Sequence, residues 1–234
     1  MRGEPFAVGH RRWKGGRRCA KVAPPTAVSI PDIMVLPDGY SQVPAGKLAA
    51  VVTCLQMHAR PALRPEREDV PWVLRRIAEP DTSWYRGLFA HVGRDWLWSS
   101  RLGMPLAKLE ATIRDPAVEV YALSVGDRDE GLLELDFRES GDCELAFFGL
   151  TQAVLGQGAG RWLMNRAIEG AWARPIRRFW VHTCTLDHPA ALSFYLRSGF
   201  EPYERLVEVF DDPRIEGLVP RTAAPYVPIL EVSA

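Results

Sequence analysis

Three glycines crowd into five residues of VLGQGAGRWLM, Val154 to Met164, and a helical pattern begins directly behind them. A strand feeding a glycine-rich turn that opens a helix makes an anion site. The backbone approaches closely, and free N–H groups and the helix dipole face the ligand. The flanks must decide which architecture this is. A P-loop requires Lys-Ser or Lys-Thr after the last glycine, where this chain has Arg161 and Trp162. A dinucleotide fold requires the loop after the first of several parallel strands, with an acid about 20 residues on. A turn serving only close helix–sheet packing requires no ligand at all.

Before the loop stand three runs of strand character, VEVYALSVG (118–126), GLLELDFRE (131–139) and CELAFFGL (143–150). The turn sequences DRDEG and SGDC between them predict an antiparallel meander. Behind the loop, Leu163, Ala167 and Ala171 recur at four-residue steps beside Met164, Ile168 and Trp172, a broad apolar face for packing on a sheet. RRFWVHTCTL (177–186) predicts the next strand. DHPAALSFYLRSGF predicts a short helix with Pro189 in its first turn and Gly199 as its stop. EPYERLVEVF (201–210) closes the pattern with a strand, and APYVPILEV can add a final edge.

Upstream, Pro31 to Gly46 reads as an irregular lead-in and KLAAVVTCLQM (Lys47 to Met57) as the first strand. ARPALRPERED breaks regularity with two prolines. Val70 to Ile113 reads as helical. Asp81 and Thr82 are N-cap candidates for SWYRGLFAHVG, Gly93 its closing residue, and Leu106, Leu109 and Ile113 mark a further helix. The expected organisation is one mixed domain over 31–234 behind a basic tail, 1–30, which lacks the apolar core of a secretory signal.

Lys plus Arg and Asp plus Glu both total 29, so bulk charge points to no nucleic-acid partner. No apolar run approaches the ~20 residues that cross a bilayer. Cys19, Cys54, Cys143 and Cys184 are too scattered for a zinc site or a disulfide framework. No metal is expected, and a reduced, cytoplasmic setting is.

Strand, GQGAG, helix, strand and HPAALSFYLRSGF (His188 to Phe200) in that order resemble the GCN5-related N-acetyltransferase (GNAT) superfamily. The likeness is strongest from Val118 to Tyr203. It implies an α/β fold of the α+β kind, a mixed, mostly antiparallel sheet flanked by helices, with acetyl-CoA as acyl donor. The family's loop pattern falls on Leu155, Gly156, Gln157, Gly158, Ala159 and Gly160, whose amides would hold the pyrophosphate. Leu155 departs from the family's Gln or Arg, and Arg161 would add charge. His188 stands where the family has Asn, while Ala191 and Tyr195 match. Gly149 and Leu150 would pair with the pantetheine arm.

Acetyl transfer from a thioester to an amine needs a base for the ammonium and an acid for the leaving thiolate. The resemblance implies Tyr195 as acid and Glu144 as base, with Glu134 on the neighbouring run as second candidate. The plain alternative for each glutamate is a solvent-facing strand residue. His182 is a proton shuttle or a core histidine. Trp84, Tyr85, Trp96 and Trp98 would wall the acceptor site or simply pack, and Arg86 and Arg94 would meet an acceptor carboxylate or solvent. The expected function is N-acetylation of a primary amine, on a small molecule. Transfer to a protein lysine or N-terminus, or a non-catalytic acyl-CoA-binding regulatory module, stand as alternatives. A homodimer is left open.

Overall fold

The structure, a computed structural model, describes residues 35–232. The basic tail and Cys19 lie outside the described residues. In chain order the elements are β1 (Lys47–Met57), β2 (Trp72–Ile77), α1 (Thr82–Gly93), a 3-10 turn (Arg94–Trp96) and α2 (Leu106–Ile113). Then follow β3 (Val118–Val125), β4 (Arg128–Asp136), β5 (Asp142–Leu150), α3 (Ala159–Trp172), β6 (Arg178–Cys184), α4 (Ala191–Arg197) and β7 (Glu201–Asp211). The strands form one sheet in the order β2-β3-β4-β5-β6-β1-β7. Every neighbouring pair is antiparallel except β5–β6, which is parallel. This is the mixed, mostly antiparallel sheet that the sequence implied.

Strand alternation sends side chains to two cores. Leu133, Leu135, Cys143 and Leu145 meet Leu163, Ala167 and Ala171 of α3 on one face. Val120, Ala122 and Leu132 meet Tyr85, Phe89, Leu109 and Ile113 of α1 and α2 on the other. A third cluster joins Leu48 and Ala50 of β1 to Leu97, Leu186, Val219 and Ala223.

The structure corrects the reading at two places. Trp72–Ile77, expected to be helical, is the strand β2. It pairs only with β3 at the rim of the sheet, so Arg75 and Arg76 stay in solvent and no alternating apolar pattern marks it. APYVPILEV forms no strand; its prolines lack the N–H that a ladder needs. α1 does end at Gly93, as expected, but without a left-handed turn there. The chain runs on through the 3-10 turn to Leu97, whose φ is 57°. Glycine is needed at 93 because a Cβ there would collide with Trp98.

Two irregularities in β5 shape the molecule. Its pairing with β6 covers only Asp142↔Arg178, Cys143↔Phe179 and Glu144↔Trp180. On the other side, Glu134 faces Phe147 while Leu135 faces Leu145, so Ala146 is the extra residue of a β-bulge. A bulge bends its strand, and β5 and β6 part just where it begins. The six residues from Leu145 to Leu150 therefore have one ladder edge with no strand partner among the described residues.

Candidate active site

The parting strands open a wedge, and a cavity of about 930 Å³ fills it. Leu145 to Leu150 form one wall, and Val181, His182 and Cys184 of β6 the other. The glycine loop, the start of α4 and the Trp96–Ser100 segment close the rest.

At the loop end the chemistry is cationic. Gly156 and Gly158 have φ of 75° and 101°, a region that other residues enter only at a cost. None of the backbone N–H groups from Leu155 to Gly160 has a hydrogen-bond partner among the described residues. They stand at the N-terminus of α3, where the helix dipole favours an anion. Arg64, Arg161 and Arg197 line the same end. Desolvation first, then the charges of Arg161 and Arg197, lower the pKa of Arg64, the mark of like charges held together for an anion to relieve. Arg64 is fixed by Asn165 of α3. The Asn165 Nδ2 donates to the Arg64 carbonyl at 2.8 Å, and its Oδ1 accepts the Arg64 N–H at 3.3 Å. Arg161 donates to the Pro65 carbonyl at 2.9 Å.

Along the cavity, Gly149 and Leu150 offer the free edge of β5. A Cβ at Gly149 would strike Val92 and Trp98, so glycine keeps α1 tight against the strand. Leu155, Gly156, Gly158, Gly160, Arg161, His188, Ala191 and Tyr195 all line the space. Gln157 and Ala159 contribute no lining side chain. The Gln157 amide donates back to the Ala153 carbonyl, and Ala159 is buried in the core. His188 accepts the Ala190 N–H on Nδ1 at 3.0 Å, which leaves the proton of the neutral ring on Nε2. Trp96 packs edge-on against it.

Tyr195 is buried among Phe148, Phe194 and Phe200. Desolvation, helped by the nearby Asp187 carboxylate, pushes its pKa far up, so the phenol keeps its proton at any ordinary pH. Glu144 is the last residue of β5 paired to β6, at the point of the wedge. Burial first, then the charges of Asp136 and Glu134, raise its pKa to about 7. It does not itself line the cavity. His182 does, with Nδ1 at 3.7 Å from the Glu144 Oε1. Desolvation lowers the pKa of that imidazole, against the pull of Asp187 and Glu208.

Three further expected site residues, besides Glu144, Gln157 and Ala159, lie outside the cavity lining. Glu134 is fully buried, salt-bridged to Arg101 at 2.5 Å and hydrogen-bonded by the Tyr85 hydroxyl. Tyr85 is wholly enclosed by the same knot. Trp84 spends its indole N–H on Asp129 at 3.0 Å. Of the aromatic set, Trp96 and Trp98 reach the cavity. Arg86 is taken up by the carbonyls of Arg101 and Met104. Sequence reasoning missed Arg64, Arg197, Asp187 and Glu208. The cluster of charge around the prolines of ARPALRPERED was the one available signal for Arg64.

An anion cradle and a free strand edge, with a buried phenol in the lining, suit an extended, phosphorylated ligand. The family model of the GNAT acetyltransferases matches residues 90–200, which hold every one of these parts except Arg64. A functionally unknown conserved protein from Staphylococcus epidermidis ATCC 12228 is similar to this chain in structure, with a TM-score of 0.52 and 15% identity. The match covers 71% of this chain and 63% of that one. A GCN5-related N-acetyltransferase from Sphaerobacter thermophilus gives 0.52 at 11% identity, over 72% of this chain and 53% of its own. The chain thus spans less than two thirds of either protein, and the likeness is one of fold. No curated protein matches it in sequence.

Proposed function

We propose that the chain transfers an acetyl group from acetyl-CoA to a primary amine of a small molecule by direct attack. The observation that carries this reading is the wedge itself, with the glycine-loop amides at one end, Tyr195 in its lining and Glu144 at its point. The loop N–H groups, with Arg64, Arg161 and Arg197, hold the pyrophosphate, and the free edge of Leu145–Leu150 aligns the pantetheine arm as an added strand.

The amine nitrogen attacks the thioester carbonyl carbon, and its proton leaves toward Glu144, with His182 standing between that carboxylate and the cavity. As the C–S bond breaks, the thiolate takes the Tyr195 proton. A carboxylate with a pKa of about 7 suits the base role, because it is ionised near neutral pH yet basic enough to draw the proton. Cys184 lines the cavity, but burial raises its thiol to about 11, which speaks for direct attack over an acyl-cysteine intermediate. Leu97, Leu186 and Phe210 roof the acceptor end into a recess, which favours a small molecule over a protein chain. Such chemistry, with three free cysteines among the described residues, belongs in a reducing cytoplasm.

The test is a pair of measurements. Acetyl-CoA should raise the melting temperature while NADH and ATP do not, and free thiol should appear when an amine panel is added. Melting unmoved by acetyl-CoA sinks the donor assignment; thiol release at background for every amine sinks catalysis.

A further inference from the structure

The cavity is polarised, and its second pole bears on the acceptor. Among the described residues its lining arginines are Arg64, Arg161 and Arg197, which stand together at the glycine-loop end, and no lysine lines it. Away from the loop the charged lining groups are Asp187 and Glu208, and both carboxylates bear on His182 and Cys184. Asp187 spends one oxygen on the Thr183 hydroxyl at 2.7 Å and the Cys184 N–H at 2.8 Å, leaving the other open. Glu208, exposed on β7, has no salt-bridge partner among the described residues. Val52, Leu97, Leu186 and Phe210 make the walls between apolar.

A carboxylate beside the reacting amine would hold its ammonium proton and slow attack. Only the group that removes the proton, Glu144, gains from proximity. Glu208 and Asp187 are useful only to a second charge that never reacts. Resting on the acetyl-transfer reading above, we propose that the acceptor is an aliphatic diamine or polyamine. One amine is acetylated at the wedge, the methylene spacer lies on the apolar wall, and the second ammonium pairs with Glu208 and Asp187.

The test compares three acceptors of equal length: pentane diamine, pentylamine and the five-carbon ω-amino acid. Thiol release is followed at fixed pH with saturating acetyl-CoA. The diamine should exceed pentylamine about tenfold in kcat/KM, the value of one charge-assisted contact, and the amino acid should be slowest. Added salt should erode the preference. Glu208→Gln should narrow the diamine-to-pentylamine ratio, and Glu208→Lys should shift preference toward the amino acid, with the KM for acetyl-CoA reporting that each variant is folded. Equal use of diamine and pentylamine, or preference for the amino acid, overturns the inference and leaves acetyl transfer standing. Thiol release from none of the three, with some other amine active, overturns it equally. Silence from every amine, with acetyl-CoA still raising the melting temperature, removes the transfer reading and this inference with it.

Discussion

Glu134 of β4 and Glu144 of β5 share one sheet face, with Asp136 opposite Glu144 in the ladder. Around Glu134 the protein closes: the Arg101 guanidinium and the Tyr85 hydroxyl complete its bonding, and no part of it meets water. Around Glu144 it opens. The ladder to β6 ends there, the His182 imidazole stands 3.7 Å away, and no arginine is salt-bridged to it among the described residues. The same side chain thus becomes a tie in one place and a titrating group in the other. A carboxylate is made structural by a committed cation and made reactive by burial without one.

Substitution should separate the two. On the acetyl-transfer reading, Glu144→Gln should cut kcat by roughly a hundredfold to ten-thousandfold, the usual worth of a general base, with melting no worse than wild type. Unchanged turnover would remove Glu144 as base. Glu134→Ala should do the reverse and cost about 3–5 kcal/mol of stability, since it strands the buried Arg101 charge. Urea denaturation measures this, and a loss below about 1 kcal/mol would dissolve the contrast.

The pH dependence sharpens it further. With a pKa of about 7, Glu144 should limit kcat below pH 7, about tenfold per unit, with a plateau above, and Glu144→Gln should abolish that limb. The stability effect has the opposite sign. The folded pKa is raised above the ordinary glutamate value of 4.5, so the native state binds the extra proton between pH 4.5 and about 7. Stability from this group therefore falls as pH rises through that window. A denaturation midpoint that climbs there in wild type relative to Glu144→Gln would contradict it. The smallest effect belongs to Tyr85→Phe, which removes one hydrogen bond to Glu134 and should cost about 1–3 kcal/mol of stability. A larger cost than that of Glu134→Ala would make the tyrosine, not the ion pair, the centre of the knot.

Much of the frame was legible in the chain. The meander, the glycine loop and the helix faces of α3 rest on local periodicity and turn chemistry, and these are where the structure agrees most closely. β2 was lost because a rim strand needs no apolar alternation. The roles of the two glutamates were beyond local reading for a different reason. LLELDF and CELAFF carry equivalent patterns, and what distinguishes them is Arg101, delivered by a loop 33 positions away from Glu134. Likewise Arg64 is held beside the glycine loop by Asn165, 101 positions on. Charge pairing across the fold is the part that a linear pattern cannot carry.

β1 lies between β6 and β7, and its Val51 N–H reaches the Thr185 hydroxyl across 134 positions. The end of the cavity away from the glycine loop, from Val52 through Cys184 to Glu208, is therefore a composite of early and late chain. Until β7 has been made, β1 has only β6 beside it, and the cavity lacks Glu208 and Phe210. Long-range pairings of this kind form slowly. The anion cradle, contained within Leu145–Arg197 apart from Arg64, can take shape first, and the opposite chamber is the last part of the cavity to be completed.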